Sequence, residues 1–139
     1  MTGPSARPFC PTLHRYGPAV ATSLLIAILS LLPAQCFKTV STTLPPVPGS
    51  DKIVHALMYA ALTLSVLHAL PAAAGRRLSA ALRAALAASL YGVAMEICQR
   101  LITNTRSADY RDALANSAGA LTAALLSAVL HHHSKKENL

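Results

Sequence analysis

The residue types that could do chemistry are concentrated in one stretch of the chain, residues 96–119 (EICQRLITNTRSADYRDALANSAG). The whole sequence contains five acidic residues, and three of them fall here: Glu96, Asp109 and Asp112. The same stretch holds Gln99, Arg100, Arg106, Arg111 and Asn116. Carboxylates, amides and guanidinium groups at this density are typical of a binding site or of a network of ion pairs.

A second, smaller group of polar residues opens another apolar segment: Ser50, Asp51, Lys52 and His55. The segments on either side of both groups are rich in Ala and Leu and resemble membrane-spanning helices. Charged and hydrogen-bonding side chains are costly in such surroundings unless they pair with something. We therefore expect the two groups to face each other in the folded chain.

The composition favours an integral membrane protein over a soluble globule. The 139 residues allow one domain at most, with a mean hydropathy of +0.45, 53% apolar residues and 12% charged residues. The absence of Trp, with two Phe and four Tyr, leaves little for base stacking, so no nucleic-acid partner is expected. The net charge of +7 is instead attributed to topology and to anionic lipid headgroups.

The apolar segments predict an all-α integral membrane bundle of four antiparallel transmembrane helices, because each is close to the roughly 20 residues that cross a bilayer core. The expected helices cover about residues 16–36, 51–70, 78–101 and 109–130. A Pro-rich loop fills residues 37–49, and Ser50 or Asp51 is expected to cap the second helix. Residues 1–15 are predicted to form an irregular cytoplasmic arm, and residues 131–139 a polar cytoplasmic tail.

The first apolar segment has a rival interpretation as a cleaved signal peptide, because it follows a basic arm. Gln35 before Cys36 makes a poor lipoprotein cleavage site, and further apolar segments follow, so retention is expected. Seven basic residues fall on one predicted side and five on the other, which also carries four of the five acidic residues. The positive-inside rule then predicts a multi-pass protein of the bacterial cytoplasmic (inner) membrane with both termini cytoplasmic.

The sequence gives little support for a metal, a cofactor or a disulfide. The cysteines are Cys10, Cys36 and Cys98. They lack metal-ligand spacing, and their expected depths argue against bridging. The histidine run 131–133 is interpreted as part of a solvated tail. A metal bound by Asp51, His55 and Glu96 is conceivable, but no Cys/His spacing supports it, so no metal site is predicted.

The helix directions bring polar residues to matching depths. The second helix begins on the outer side, the third ends there and the fourth begins there. With a rise of about 1.5 Å per residue, His55 lies roughly 6 Å below Asp51, and Asn116 lies roughly 6 Å below Asp112. Two small residues four apart on the fourth helix would allow the close helix approach that contact requires: Gly119 and Ala123.

These residues form an ordered pattern: Asp51-Lys52-x-x-His55, Glu96-x-x-Gln99 and Arg106-x-x-Asp109-x-x-Asp112-x-x-x-Asn116-x-x-Gly119. The pattern resembles the signature of the VanZ-like family of small bacterial membrane proteins over about residues 50–123. The resemblance implies a multi-pass membrane protein of the cell envelope. The family takes its name from a member associated with resistance to the antibiotic teicoplanin, while most members have no assigned biochemical activity. One departure is Ala123, where the family pattern often has a second Gly.

The preferred hypothesis is an outward-facing polar pocket that binds a lipid headgroup, a cell-wall precursor or a glycopeptide antibiotic. Membrane lipid is the expected partner, and the oligomeric state is open. The predicted binding residues are Asp51, Lys52, His55, Glu96, Gln99, Arg106, Asp109, Asp112 and Asn116.

The alternative is a membrane enzyme that modifies a lipid or lipid-linked glycan with His55 as general base. Its candidate catalytic residues are His55, Glu96 and Asp112, and the motif offers no Ser or Cys as an obvious nucleophile. A purely structural interpretation pairs Lys52 with Glu96 and Asp112 with Arg106. An ion pathway is disfavoured because the inner halves of the helices are nearly devoid of polar groups except His68.

Overall fold

The structure is a computed structural model that describes residues 11–32, 49–71, 78–102 and 109–137. Its four α-helices are α1 (Pro11–Leu31), α2 (Ser50–Ala69), α3 (Leu78–Ile102) and α4 (Tyr110–Glu137). The described ranges contain no strand. The prediction of an all-α fold built from four helices is confirmed.

Three of the four helices are long and apolar enough to cross a membrane: Ser50–Ala69, Leu78–Ile102 and Tyr110–His131. Over its described residues α1 is not among them, because its first half carries His14, Arg15 and Pro18. The predicted span 16–36 is shifted relative to this helix, and residues 33–36 lie outside the described ranges. A crossing by α1 therefore stays a prediction.

Two helices extend beyond their predicted ends. α1 begins at Pro11, within the segment predicted to be an irregular arm, because proline has a suitable φ and needs no hydrogen-bond partner for its nitrogen at a helix start. α4 continues to Glu137, so most of the predicted polar tail is helical. No Gly or Pro follows Gly119 in the sequence to end that helix earlier.

The second helix starts differently from the prediction. Gly49 is the N-cap, with φ of 83°, and no side chain caps the helix. Ser50 and Asp51 lie inside the helix, so the prediction that one of them is the cap is wrong. The Gly49 carbonyl accepts the Lys52 and Ile53 N–H groups at 3.1 and 3.3 Å. Glycine fits here because the left-handed conformation costs it little.

α1 and α3 run in the same direction, as two hydrogen bonds between them show. The Tyr91 hydroxyl donates to the Ser23 carbonyl at 2.7 Å, and the Gln99 amide donates to the Ser30 carbonyl at 2.9 Å. Because the residue numbers of the bonded partners increase in the same order on both helices, α1 and α3 are parallel.

α2 and α4 are also parallel, because Lys52 contacts Asp112 and His55 contacts Asn116. α3 runs against both, since Gly92 lies beside Asn116 whereas Glu96, farther along α3, lies beside Asp112, which comes earlier in α4. The bundle is therefore up-down-up-down.

Small residues let the helices pack closely. The core includes Ala81, Ala84, Ala85, Ala88, Ala120 and Ala124, with Ile26, Tyr59 and Leu62 as its larger side chains. Gly119 is buried against α2, and a Cβ there would overlap the Ala56 carbonyl oxygen. Ala123 is 5% exposed. This packing brings the polar starts of α2 and α4 into contact.

Candidate functional site

Four of the five acidic residues gather at one end of the bundle, where α2 and α4 begin and α3 ends, together with Lys52 and His55. We call this the polar end. Its central group, here named the polar cluster, consists of Lys52, His55, Glu96, Asp112 and Asn116. The meeting of these residues follows from the helix directions and from the close packing of α2 against α4.

Lys52 is the cation of the polar cluster. Its Nζ lies 2.8 Å from Asp51 Oδ2, 3.0 Å from Asp112 Oδ1 and 3.8 Å from Asp109 Oδ2. The ammonium thus links the start of α2 to the start of α4. Its ion pairs are with these aspartates, not with Glu96 as the structural interpretation supposed.

His55 is held between two residues of α4. Its Nδ1 is 3.0 Å from Asn116 Oδ1, and its Nε2 is 3.8 Å from Asp112 Oδ2. The Asn116 side chain is almost completely buried. An amide oxygen only accepts hydrogen bonds, so Nδ1 donates. Nε2, which carries a lone pair in the neutral ring and a proton in the imidazolium, faces the Asp112 carboxylate.

Glu96 completes the polar cluster from α3. Its side chain is 6% exposed, and Oε2 has no hydrogen-bond partner among the described residues. Asn116 Nδ2 is also buried without a partner there. One ligand atom from each of Glu96, His55 and Asp112 lies within 4.8 Å of the others. A buried carboxylate without a counter-charge costs several kcal/mol, so this group needs a cation or a proton.

Of the other predicted site residues, Asp51 and Asp109 lie at the edge of the polar cluster beside Lys52, and Gln99 lies apart from it. Gln99 is buried and donates to the Ser30 carbonyl of α1. Asp109 caps α4, because its Oδ1 accepts the Arg111 backbone N–H at 2.9 Å. Asp51 is exposed at the rim. Arg106 lies outside the described residues, so its pairing with Asp112 stays a prediction.

Sequence reasoning missed the packing partners of Asn116. A Cβ on Gly92 would lie 3.0 Å from Asn116 Nδ2 and 3.1 Å from Tyr59 Cε1, so glycine is what admits the amide between the helices. The available signal was a row of small residues at four-residue intervals leading to Glu96. That row is Ala80, Ala84, Ala88 and Gly92.

A cavity of about 470 Å³ lies beside the polar cluster, between α3 and α4. Its lining residues are Val93, Glu96, Ile97, Arg100, Leu101, Asp109, Tyr110 and Ala113. One part of this lining is apolar and the other carries two carboxylates and a guanidinium. Glu96 belongs to both the cavity and the polar cluster. The predicted set includes Glu96 and Asp109 but omits Arg100.

The arrangement has two kinds of chemical capability. The His55 lone pair, flanked by carboxylates, can accept a proton or bind a cation. The Arg100 guanidinium can pair with a phosphate or carboxylate in the adjoining cavity.

Comparison with known proteins yields one match. A family model described as VanZ/LLP1 matches residues 13–131, which include every residue of the polar cluster. No curated protein and no solved structure gives a significant match. The resemblance inferred from the polar motif is confirmed by a match that covers most of the chain.

Proposed function

Because this chain belongs to the VanZ/LLP1 family, a family of membrane proteins, we propose that it binds the headgroup of an amphiphile in the bacterial cell envelope. The single observation that supports this proposal is the mixed lining of the cavity between α3 and α4. A headgroup would occupy its charged part, and the attached chain would lie along its apolar part.

The charges of the cavity suggest the chemistry of the headgroup. Arg100 suits a phosphate or a carboxylate, which a guanidinium binds through two parallel hydrogen bonds. Glu96 and Asp109 would accept hydrogen bonds from hydroxyl or amino groups of the same ligand. A phosphorylated lipid or a lipid-linked cell-wall precursor carries both kinds of group.

The volume favours a headgroup over a whole glycopeptide antibiotic. About 470 Å³ falls in the range of roughly 300–1,000 Å³ that accommodates drug-sized ligands. A glycopeptide antibiotic is considerably larger and would enter only in part.

Binding can be tested with the full chain in lipid nanodiscs. Phosphatidylglycerol, a phosphorylated polyprenol and teicoplanin would be titrated separately and followed by native mass spectrometry. Ala113→Phe fills the cavity, while Leu114→Phe adds the same ring at the neighbouring exposed position and serves as the control. We expect saturable binding of one of the two lipids that Ala113→Phe and Arg100→Met weaken. Equal binding by all variants would contradict a headgroup site in this cavity.

The second candidate is an enzyme with His55 as general base. It is favoured by the hydrogen bond that His55 Nδ1 donates to Asn116 Oδ1, which holds the ring with Nε2 toward Asp112. Profiling of lipids and glycans would compare cells carrying wild type, His55→Ala and Glu96→Gln. A product lost in both variants would favour the enzyme. Unchanged profiles with altered ligand binding would favour the binding protein.

We also propose that the protein is a multi-pass protein of the inner membrane, with its polar end outward and both termini cytoplasmic. The uneven distribution of basic residues supports this orientation. A fluorescent protein fused after Leu139 should be active, because it folds in the cytoplasm, whereas a periplasm-dependent phosphatase at the same point should be inactive. An inactive fluorescent protein with an active phosphatase would show that the C-terminus lies outside the cytoplasm and would contradict this orientation.

A further inference from the structure

We propose that His55, Glu96 and Asp112 bind one divalent transition-metal ion of the zinc type. They lie on α2, α3 and α4, and one ligand atom of each lies within 4.8 Å of the others. An imidazole nitrogen and two carboxylate oxygens are ligands that zinc accepts in proteins. Three protein ligands leave the fourth position open, as in catalytic zinc sites.

The spacing of the ligand atoms is close to what such an ion requires. His55 Nε2 and Asp112 Oδ2 are 3.8 Å apart. Two atoms bound to a tetrahedral zinc ion are roughly 3.3 Å apart, given bonds of about 2.0–2.2 Å. Lys52 Nζ donates a hydrogen bond to Asp112 Oδ1, which leaves Oδ2 as the oxygen that faces the His55 ring. Small rotations of the two side chains would bring Nε2 and Oδ2 to that separation.

The surroundings of His55 have the form that supports a metal-bound imidazole. Nδ1 donates to the buried Asn116 Oδ1, which fixes the tautomer and turns the Nε2 lone pair toward Asp112. Metal-bound histidines almost always donate their second N–H to a carbonyl or carboxylate in this way. Nε2 lies beside the Asp112 carboxylate, an arrangement that a proton or a metal ion between the two atoms would stabilise.

Glu96 supplies a second, independent indication of a ligand. It is 6% exposed, yet Oε2 has no hydrogen-bond partner within the described ranges. The ammonium of Lys52 forms its ion pairs with aspartates. A divalent ion at the meeting point of Glu96, Asp112 and His55 would compensate the buried carboxylate, with which Lys52 forms no ion pair among the described residues.

This site does not depend on the headgroup proposal, because its ligand atoms all belong to the chain. Glu96 nevertheless touches the cavity, so a phosphate or carboxylate bound there would be next to the open coordination position. The two proposals can therefore fail separately: zinc binding is measured without any added lipid, and lipid binding is measured with and without zinc.

The test uses the full chain in nanodiscs, purified without a histidine tag. A background variant with His131→Ala, His132→Ala and His133→Ala removes the histidine run, which could bind zinc independently. After treatment with a chelator, Zn²⁺ would be added, the protein desalted, and the retained zinc measured by elemental analysis. Cobalt substitution would report nitrogen and oxygen ligation through its visible absorption.

We expect one zinc ion per chain in the background protein. Asn116→Ala should weaken zinc affinity by about 10- to 100-fold through the orientation of His55. Glu96→Gln, His55→Gln and Asp112→Asn should each weaken it further. His68→Ala, an exposed histidine on the same helix, should change nothing and serves as the matched control.

Thermal unfolding separates a lost ligand from a misfolded variant. Zinc should raise the melting temperature of the background protein and leave that of Glu96→Gln unchanged, because a ligand stabilises only the state that binds it. A folded background protein that retains no zinc would overturn the proposal. So would retention of full zinc affinity in Glu96→Gln.

Discussion

His55 on α2 and Asn116 on α4 are joined by a 3.0 Å hydrogen bond between Nδ1 and Oδ1. Both residues lie within the first two turns of their helices, which run parallel. Asn116 is 1% exposed, so water has little access to replace this bond. The contact therefore fixes the depth at which the polar starts of the two helices meet.

Asn116→Ala should destabilise the protein, because it removes this bond and opens space beside Gly92. Hydrogen bonds between membrane helices contribute about 0.6 kcal/mol on average and up to about 1.7, and we expect the upper part of that range. Reversible unfolding in mixed micelles measures the effect. Ser117→Ala is the control, because among the described residues the Ser117 hydroxyl donates to the Ala113 carbonyl of its own helix. Equal losses in both variants would contradict a bond that holds α2 to α4.

Gly119→Ala should separate α2 from α4, because the new Cβ would overlap the backbone of Ala56. Overpacking of this kind costs about 1–3 kcal/mol. Gly17→Ala is the matched control, since no atom of the described residues lies within 4 Å of its added Cβ and alanine favours the helix. The control should be neutral or slightly stabilising in the same unfolding assay. A neutral Gly119→Ala would mean that the helices do not approach as described.

Glu96→Gln should stabilise the protein in the presence of a chelator. The change keeps the shape of the side chain and removes a buried carboxylate whose Oε2 lacks a partner among the described residues. Leaving such a group unsatisfied costs about 1–3 kcal/mol or more. Gln99→Glu is the reverse change three residues later and should destabilise, because it removes the donor to the Ser30 carbonyl. Easier unfolding of Glu96→Gln than of wild type under these conditions would contradict the prediction and show that neighbours such as the Asp109 backbone N–H stabilise the buried carboxylate.

Tyr91→Phe should loosen α1 without disturbing α2 and α4, because it removes the bond to the Ser23 carbonyl. At about 0.6 kcal/mol, the loss corresponds to roughly threefold faster exchange of the α1 amide hydrogens. Hydrogen–deuterium exchange resolved by helix measures it. Tyr110→Phe, at an exposed position on α4, serves as the control and should leave α1 unchanged. Uniform acceleration in all helices would show that Tyr91 supports the whole bundle.

The double variant Lys52→Met, Asp112→Asn should lose less free energy of unfolding than the sum of the losses of the two single variants. Lys52 bonds to Asp112 and also lies near Asp51 and Asp109, so its loss alone leaves like charges facing each other. A double-mutant cycle in the unfolding assay isolates the coupling. Strict additivity would show that the 3.0 Å ion pair contributes nothing to stability.

The meeting of His55 with Asn116 could be predicted because helix rise is constant and both residues follow a helix start by a similar number of positions. The direction in which the Gln99 side chain points could not be predicted in the same way. It lies three residues from Glu96, and α3 is packed on several sides, so a small rotation of the helix decides whether Gln99 faces α1 or α4. The sequence pattern does not specify that rotation.

The helix ends were the least predictable feature of the fold. Ser50 and Asp51 are strong capping residues, yet Gly49 takes the N-cap with its left-handed backbone. The start of α1 at Pro11 was missed because a run of prolines generally indicates irregular structure. In both cases the residue types near the helix start did not indicate the end residue, and such ends are commonly uncertain by one or two residues.

The up-down-up-down order has a consequence for access. The polar cluster lies at the polar end, while the core of the other half of the described bundle is mainly alanine and leucine. His55 lies five residues after the start of α2 and fourteen before its end, so a solute has a shorter path to this side chain from the polar end than from the opposite end of the bundle.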